Sequence, residues 1–438
     1  MGMTFAEKII ASHCGKEKVV PGEYVSDVKV DIITGSEYTI NWAIEALKEY
    51  GYEGKIFKNT VPALDHFTPC NTPKSAEICS VVRKFVKKND LRYLIEVGEG
   101  IEHQVLMEKT IVTPGDIQFG ADSHTNQSGA ISAFGIGAGS TDVASAMISG
   151  LIWLRVPETY KIAYYGKLQD FVEPKDLILF TIKKLGVNGA NYKAVEFSGP
   201  VIRNMETEGR STMCNMSAEM GAKAGYVPFD HKTEKFVKES AERFNNVTRL
   251  YDTEVTSRDF SDLKSDSDAH FSKFIKINVT DIEPQVAYPP SPGNTHPISE
   301  TEKDRIKVNQ VTIGTCTNGG ISDLYNAAKI LKKYGPKKND IRVLVSPASV
   351  YVYSECLKNG VIQILLENGC VINPPSCGNC IGTHLGVLGP NEIEASTANR
   401  NFPGRCGDST AERYLVNPEV AAATAIAGYI CSPERLRK

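Results

Sequence analysis

No apolar run in these 438 residues approaches the roughly 20 needed to cross a bilayer. A membrane-spanning helix is therefore not expected. Charge of one sign is equally scarce, with 49 Lys and Arg against 52 Asp and Glu and a formal net charge of -3. No basic stripe offers itself to a polyanion, which argues against a dedicated nucleic-acid binder. The opening residues Met1 to Lys8 have neither the basic head nor the apolar core of a signal peptide. Ala6 stands where a myristoylation signal needs Ser or Thr. The expectation is a cytoplasmic protein. Also missing are a Walker A motif, a G-x-S-x-G elbow, an internal repeat and any low-complexity tract. Gly135-Ile136-Gly137-Ala138-Gly139 lacks the G-x-G-x-x-G spacing and the later acid of a dinucleotide site. It reads as a tight turn with close backbone packing.

What is present is an alternation of helical and strand-like periods. Helices are expected over Ile40–Lys48, Asp142–Ser149, Lys235–Glu242 and Ser322–Tyr334, and strands over Tyr93–Val97, Asp116–Phe119, Gln310–Ile313 and Ile341–Val345. Such alternation predicts an α/β protein of several domains. The proline-rich stretch from Pro289 to Pro297 reads as an extended linker. The division expected is 1–155, 156–288, a linker at 289–304, and 305–438.

Eleven cysteines in a long chain do not suit a secreted disulfide scaffold. Cys377-Gly378-Asn379-Cys380 places two thiols at CxxC spacing in a Pro/Gly-rich loop, and Cys316 follows a predicted strand. Three cysteines from two loops admit a three-thiolate [4Fe–4S] cluster with one open iron, a zinc site short of a fourth ligand, or a redox or inert core group. Three histidines lie beside acids or polar turns: Asp65-His66, Glu102-His103 and Asp122-Ser123-His124. A neighbouring acid fixes a histidine's tautomer and raises its pKa, as a general acid requires. Arg400 and Arg405 flank a Pro-Gly turn and could present two guanidinium forks to a small dianion.

Taken in order, Asp122-Ser123-His124-Thr125, Cys316-Thr317-Asn318-Gly319, Cys377-Gly378-Asn379-Cys380-Ile381-Gly382 and Asn399-Arg400-Asn401-Phe402-Pro403-Gly404-Arg405 resemble the signatures of the aconitase superfamily. Lesser matches at Gly98–His103, Gly139–Asp142, Val195–Gly199 and Cys214–Glu219 extend the likeness over the whole chain. It is most similar to the two-subunit branch, the large subunits of 3-isopropylmalate dehydratase type, with homoaconitase and 2,3-dimethylmalate dehydratase as relatives. The resemblance implies several α/β/α three-layer domains, aconitase-like domains 1–3, around a central iron–sulfur cleft, without the swivel domain. It implies one [4Fe–4S] cluster on Cys316, Cys377 and Cys380, with Asn215 and Asn399 close to it. It implies His66, oriented by Asp65, as the acid for a departing hydroxyl, with His103 and Asp122 holding the water and Glu219 supporting His124. Arg400 and Arg405 would grip substrate carboxylate.

The implied activity is reversible dehydration of a malate-type 2-hydroxy dicarboxylic acid to a cis-unsaturated dicarboxylate. A homoaconitase-type isomerase or a zinc-stabilised non-catalytic protein are the alternatives. The serine base of the family sits in a Gly-Ser-Ser-Arg-like loop that this sequence lacks, so a small swivel-domain partner subunit is expected. Where the branch has small residues, Gly35-Ser36-Glu37-Tyr38-Thr39 puts a tyrosine near the expected substrate position. Ser36 and Tyr38 are accordingly expected at the substrate, and the bulk of Tyr38 favours a compact methyl-substituted malate.

Overall fold

The computed structural model describes residues 2–244 and 259–437. The first sheet is wholly parallel, in the order Thr60–Ala63, Ile32–Ser36, Ile117–Gly120, Phe134–Gly137. Every residue of its first three strands is buried, as a parallel sheet covered on both faces requires. The second sheet, also parallel, runs Lys273–Asn278, Thr159–Tyr165, Ala194–Ser198, Ala224–Tyr226. One apolar core is continuous between them, joining Ile32, Val61 and Ile95 to Ile162, Val195 and Phe197.

The third sheet has seven strands. Five are parallel, in the order Glu412–Leu415, Ile393–Ser396, Gln310–Gly314, Arg342–Ser346, Val371–Ile372. The hairpin of Gln285–Ala287 and Thr295–Pro297 adds to the Glu412–Leu415 edge in antiparallel sense. Residues 289–304, expected as an extended linker, are thus built into this sheet and into the helix Ile298–Asp304 that follows. Pro289, Pro290 and Pro292 lie in the turn that joins the two hairpin strands; Pro297 alone is in a strand, the outermost one, where one set of N–H groups is unneeded, and it also serves as the helix N-cap.

Helices fall close to their expected places, at Glu37–Glu49, Ser140–Ser149, His231–Arg243 and Ile321–Tyr334. Tyr93–Val97 is not a full strand; it makes a single parallel bridge from Ile95 to Ala63. The glycine-rich segment is the edge strand Phe134–Gly137 rather than a turn. Its glycines serve close packing, since a Cβ on Gly135 would lie 2.1 Å from the Thr125 carbonyl oxygen. Loops that follow strands of the first and third sheets line one cavity, where His66, His103, Asp122 and His124 meet Cys316, Cys377 and Cys380. Such a crevice is where open α/β sheets place their ligands.

Candidate active site

Ser36 ends a central strand and the chain turns directly into the helix Glu37–Glu49. The buried Glu37 carboxylate therefore faces the neighbouring loop after Ala63, where it accepts the backbone N–H groups of Asp65 (3.2 Å), His66 (3.0 Å) and Phe67 (2.5 Å). That loop presents His66, whose Nδ1 lies 2.7 Å from Asp65 Oδ1. The other Asp65 oxygen accepts the Glu102 N–H at 2.8 Å. Next along the chain, His103 points its Nε2 at Asp122 Oδ1, 3.0 Å away. The same oxygen accepts the backbone N–H of His124 at 2.8 Å. His124 Nε2 meets Glu219 Oε1 at 2.9 Å, and Arg400 Nε donates to both Glu219 oxygens at 2.8 and 3.1 Å. Residues scattered over 300 positions thus form one connected polar chain.

Burial and charge pull these groups in opposite directions. Burial lowers His66 and His103, but carboxylates outweigh it: Asp65, Glu37 and Asp122 around the first, Asp122 and Glu102 around the second. Both imidazoles are raised to about 10. Burial pushes the Asp122 carboxyl up, yet the adjoining His103 and His124 hold it well below the usual carboxylate range. Glu219 is likewise lowered against its burial by His124 and Arg400.

Cys316 sits on the single turn Thr315–Asn318, immediately after a strand whose last residue, Gly314, has φ 122. A Cβ there would lie 2.0 Å from the Ser346 carbonyl oxygen, so only glycine permits this turn. Cys377 stands at the N-cap of the turn Gly378–Ile381, and Cys380 lies within it. Cys377 is in hydrogen-bonding contact with both other thiols, so the three sulfurs from two loops converge. The Cys377 N–H donates to the Asp65 carbonyl at 2.8 Å, which ties the cysteine loop to the His66 loop. Asn215 and Asn399 aim side-chain N–H groups at Cys316 Sγ from 3.3 and 3.6 Å. Arg405 approaches Cys380 Sγ at 3.9 Å.

These residues fit an iron–sulfur cluster held by three thiolates. Among the described residues no fourth thiol turns inward: the nearby Cys406 donates to the Asn379 and Gly386 carbonyls. The buried amide of Asn379 and Arg405 Nε have no protein partner, as donors beside an inorganic sulfide core would.

A cavity of about 250 Å³ lies over the cysteines. Ser36, Tyr38, His66, His103, Asp122, His124, Cys316, Cys377, Cys380, Asn399, Arg400 and Arg405 line it. Asp65, Glu219 and Asn215 stand behind that wall, touching His66, His124 and Cys316. Sequence reasoning did not single out Trp42, which joins the lining one helical turn after Tyr38; its spacing of four was the available signal. Nor did it find Lys175, fully buried, which donates to the Thr397 and Ala398 carbonyls at 2.8 and 2.5 Å and so braces the segment leading to Asn399 and Arg400. Arg413 was also missed. It pairs with Glu394 at 2.6 Å and donates to the carbonyls of Cys380 and Asn379 at 2.7 and 3.1 Å.

Residues 7–428 match the Aconitase family (aconitate hydratase). The chain belongs to the aconitase family. It is 48% identical over 440 residues to a 3-isopropylmalate dehydratase large subunit of Pyrococcus abyssi, each chain covered in full. Identity to the protein of the same description from Aquifex aeolicus is 45%, over 100% of this chain and 98% of that one. A second Pyrococcus relative, from P. furiosus, is 47% identical over both full lengths. As an aconitase-family member the chain is a hydro-lyase, of a family in which an iron–sulfur cluster is expected. None of the described helices is long and apolar enough to cross a membrane.

Proposed function

We propose that this chain is the large subunit of a [4Fe–4S] hydro-lyase that interconverts a malate-type 2-hydroxy dicarboxylic acid and its unsaturated dicarboxylate, with 3-isopropylmalate as the substrate. The observation that carries the reading is the cavity itself. One small space meets three convergent thiols, two arginines and a histidine whose Nδ1 is committed to an acid.

The cluster, held by Cys316, Cys377 and Cys380, would supply a Lewis-acidic iron that polarises the substrate hydroxyl. The chain's own residues do the rest. Arg405, and Arg400 held by Glu219, bind carboxylate and stabilise the negative charge that develops on it. With Nδ1 on Asp65, His66 keeps Nε2 for the substrate. Protonated, it donates to the departing hydroxyl and makes water of a poor leaving group. His103 and Asp122 hold that water and return it in the reverse direction. The C–H proton goes to a serine on a small partner subunit, which closes the cavity.

The alkyl substituent lies along an aromatic wall. Tyr38 packs on Phe67 with ring centroids 4.4 Å apart and stands 6.2 Å from Trp42. The bulk of that wall favours one second reading, a compact 2,3-dimethylmalate or 2-methylmalate. The test is co-expression with the small subunit, anaerobic purification and turnover of each acid. Preference for 3-isopropylmalate supports the proposal; preference for a methyl-substituted malate moves it to the second reading. Full activity of the large subunit alone would refute the shared site.

A further inference from the structure

Apart from the three convergent cysteines, one thiol pair touches among the described residues. Cys70 and Cys79 lie with Sγ atoms 3.5 Å apart. Cys70 is half-buried and Cys79 fully buried. The short segment between them starts the helix Pro73–Lys88, whose N-cap Thr72 accepts the Ser75 N–H. Cys70 stands four residues after His66. Between them Thr68 is held on two sides: its hydroxyl donates to the Leu64 carbonyl at 3.0 Å, and its carbonyl meets His384 Nε2 at 3.0 Å. The pair therefore lies between a loop that carries a catalytic histidine and a helix packed into the core through Cys79 and Val82.

We propose that Cys70 and Cys79 form a reversible disulfide modification site that tethers the His66 loop to this helix. A small-molecule disulfide is the oxidant. The Cys70 thiolate, being the accessible sulfur, attacks one sulfur of that disulfide, forming a mixed disulfide and releasing one small thiolate. Cys79, losing its proton to that thiolate, then attacks the Cys70 sulfur and expels the second. Two protein thiols are oxidised, one small disulfide is reduced to two thiols, and no further reactant is needed. An S–S bond of about 2.05 Å asks the sulfurs, now 3.5 Å apart, to close by roughly 1.5 Å. The linkage restrains the His66 loop against the helix.

The pair is independent of the cluster and of the substrate, and so is its test. The anaerobically purified two-subunit holoenzyme is incubated with glutathione disulfide, quenched by alkylation and mapped by mass spectrometry, beside the variants Cys70→Ser and Cys79→Ala. Cluster absorbance is recorded throughout as the check on fold. The expected result is a Cys70–Cys79 linked peptide in the wild type, reversed by thiol. Cys79→Ala should stop at glutathione on Cys70, and Cys70→Ser should leave Cys79 unmodified. Proteolysis between residues 66 and 79 should slow severalfold on oxidation. Glutathione accumulating on Cys70 of the wild type as it does in Cys79→Ala would overturn the proposal. Recovery of both thiols free, with cluster absorbance intact, would overturn it as well.

Discussion

Replacing Asp65 by Asn isolates what one carboxylate does for His66. The acid has two tasks, one oxygen facing His66 Nδ1 at 2.7 Å and the other accepting the Glu102 N–H at 2.8 Å. An asparagine must give its single oxygen to the Glu102 N–H, or that buried donor is orphaned. Its NH2 group then faces Nδ1 and demands a lone pair there. The imidazolium is disfavoured and the neutral tautomer with hydrogen on Nε2 selected. In the native chain burial lowers His66, and Asp65 is the largest influence raising it to about 10. Without that charge only Glu37 and Asp122 oppose the burial, and the ring's pKa falls. At pH 7.5 the protonated fraction, nearly complete in the native chain, drops with it. A positioned general acid contributes about 10²- to 10⁴-fold, so kcat at pH 7.5 should fall about tenfold or more, with KM changed little. The sign of the pH effect follows. The protonated form is active, so native activity falls only as pH rises through about 10, whereas the variant loses it at a lower pH. Formation of the unsaturated dicarboxylate by the reconstituted complex, followed by absorbance from pH 5 to 10, measures both quantities. An unchanged kcat, or an alkaline limb that stays in place, would refute the assignment of His66 as the acid.

Glu37→Ala should orphan three buried backbone donors at about 1–3 kcal/mol each, lowering the midpoint of thermal unfolding and exposing residues 64–68 to protease. Arg400→Lys keeps the charge but loses the Nε contact to both Glu219 oxygens; KM for the dicarboxylate should rise about tenfold or more, because a lysine cannot reproduce the planar fork. Arg413→Met leaves the buried Glu394 carboxylate without its partner, a loss of about 3–5 kcal/mol. Because Arg413 also carries the Cys380 and Asn379 carbonyls, the variant should purify with less iron per chain than the wild type.

The polar chain of the site was legible because its members come in short local motifs. Asp65-His66, Asp122-Ser123-His124 and the CxxC pair each announce chemistry on their own. The convergence of Cys316 with Cys377 and Cys380 was not written in spacing. It depends on strands Gln310–Gly314 and Val371–Ile372 sharing one sheet. Glu37 was passed over although its neighbours Ser36 and Tyr38 were singled out. Its work is to hold amides 28 to 30 residues away, and that follows from the parallel register of Ser36 with Ala63. Lys175 and Arg413 escaped for the same reason, since each serves carbonyls distant in sequence. The proline-rich 289–304 misled because composition reports what a segment cannot do in a sheet interior, and this one lies at an edge.

Metal and sulfide analysis of the anaerobically purified chain, joined to the same analysis of Cys316→Ser, decides whether the three convergent thiols hold an iron–sulfur cluster. Four irons and about four sulfides per chain are the stoichiometry of a [4Fe–4S] cluster. The native protein should show that content and a brown colour, and the variant should lose both iron and sulfide. Stoichiometric zinc in place of iron, or a full cluster retained without Cys316, would contradict it.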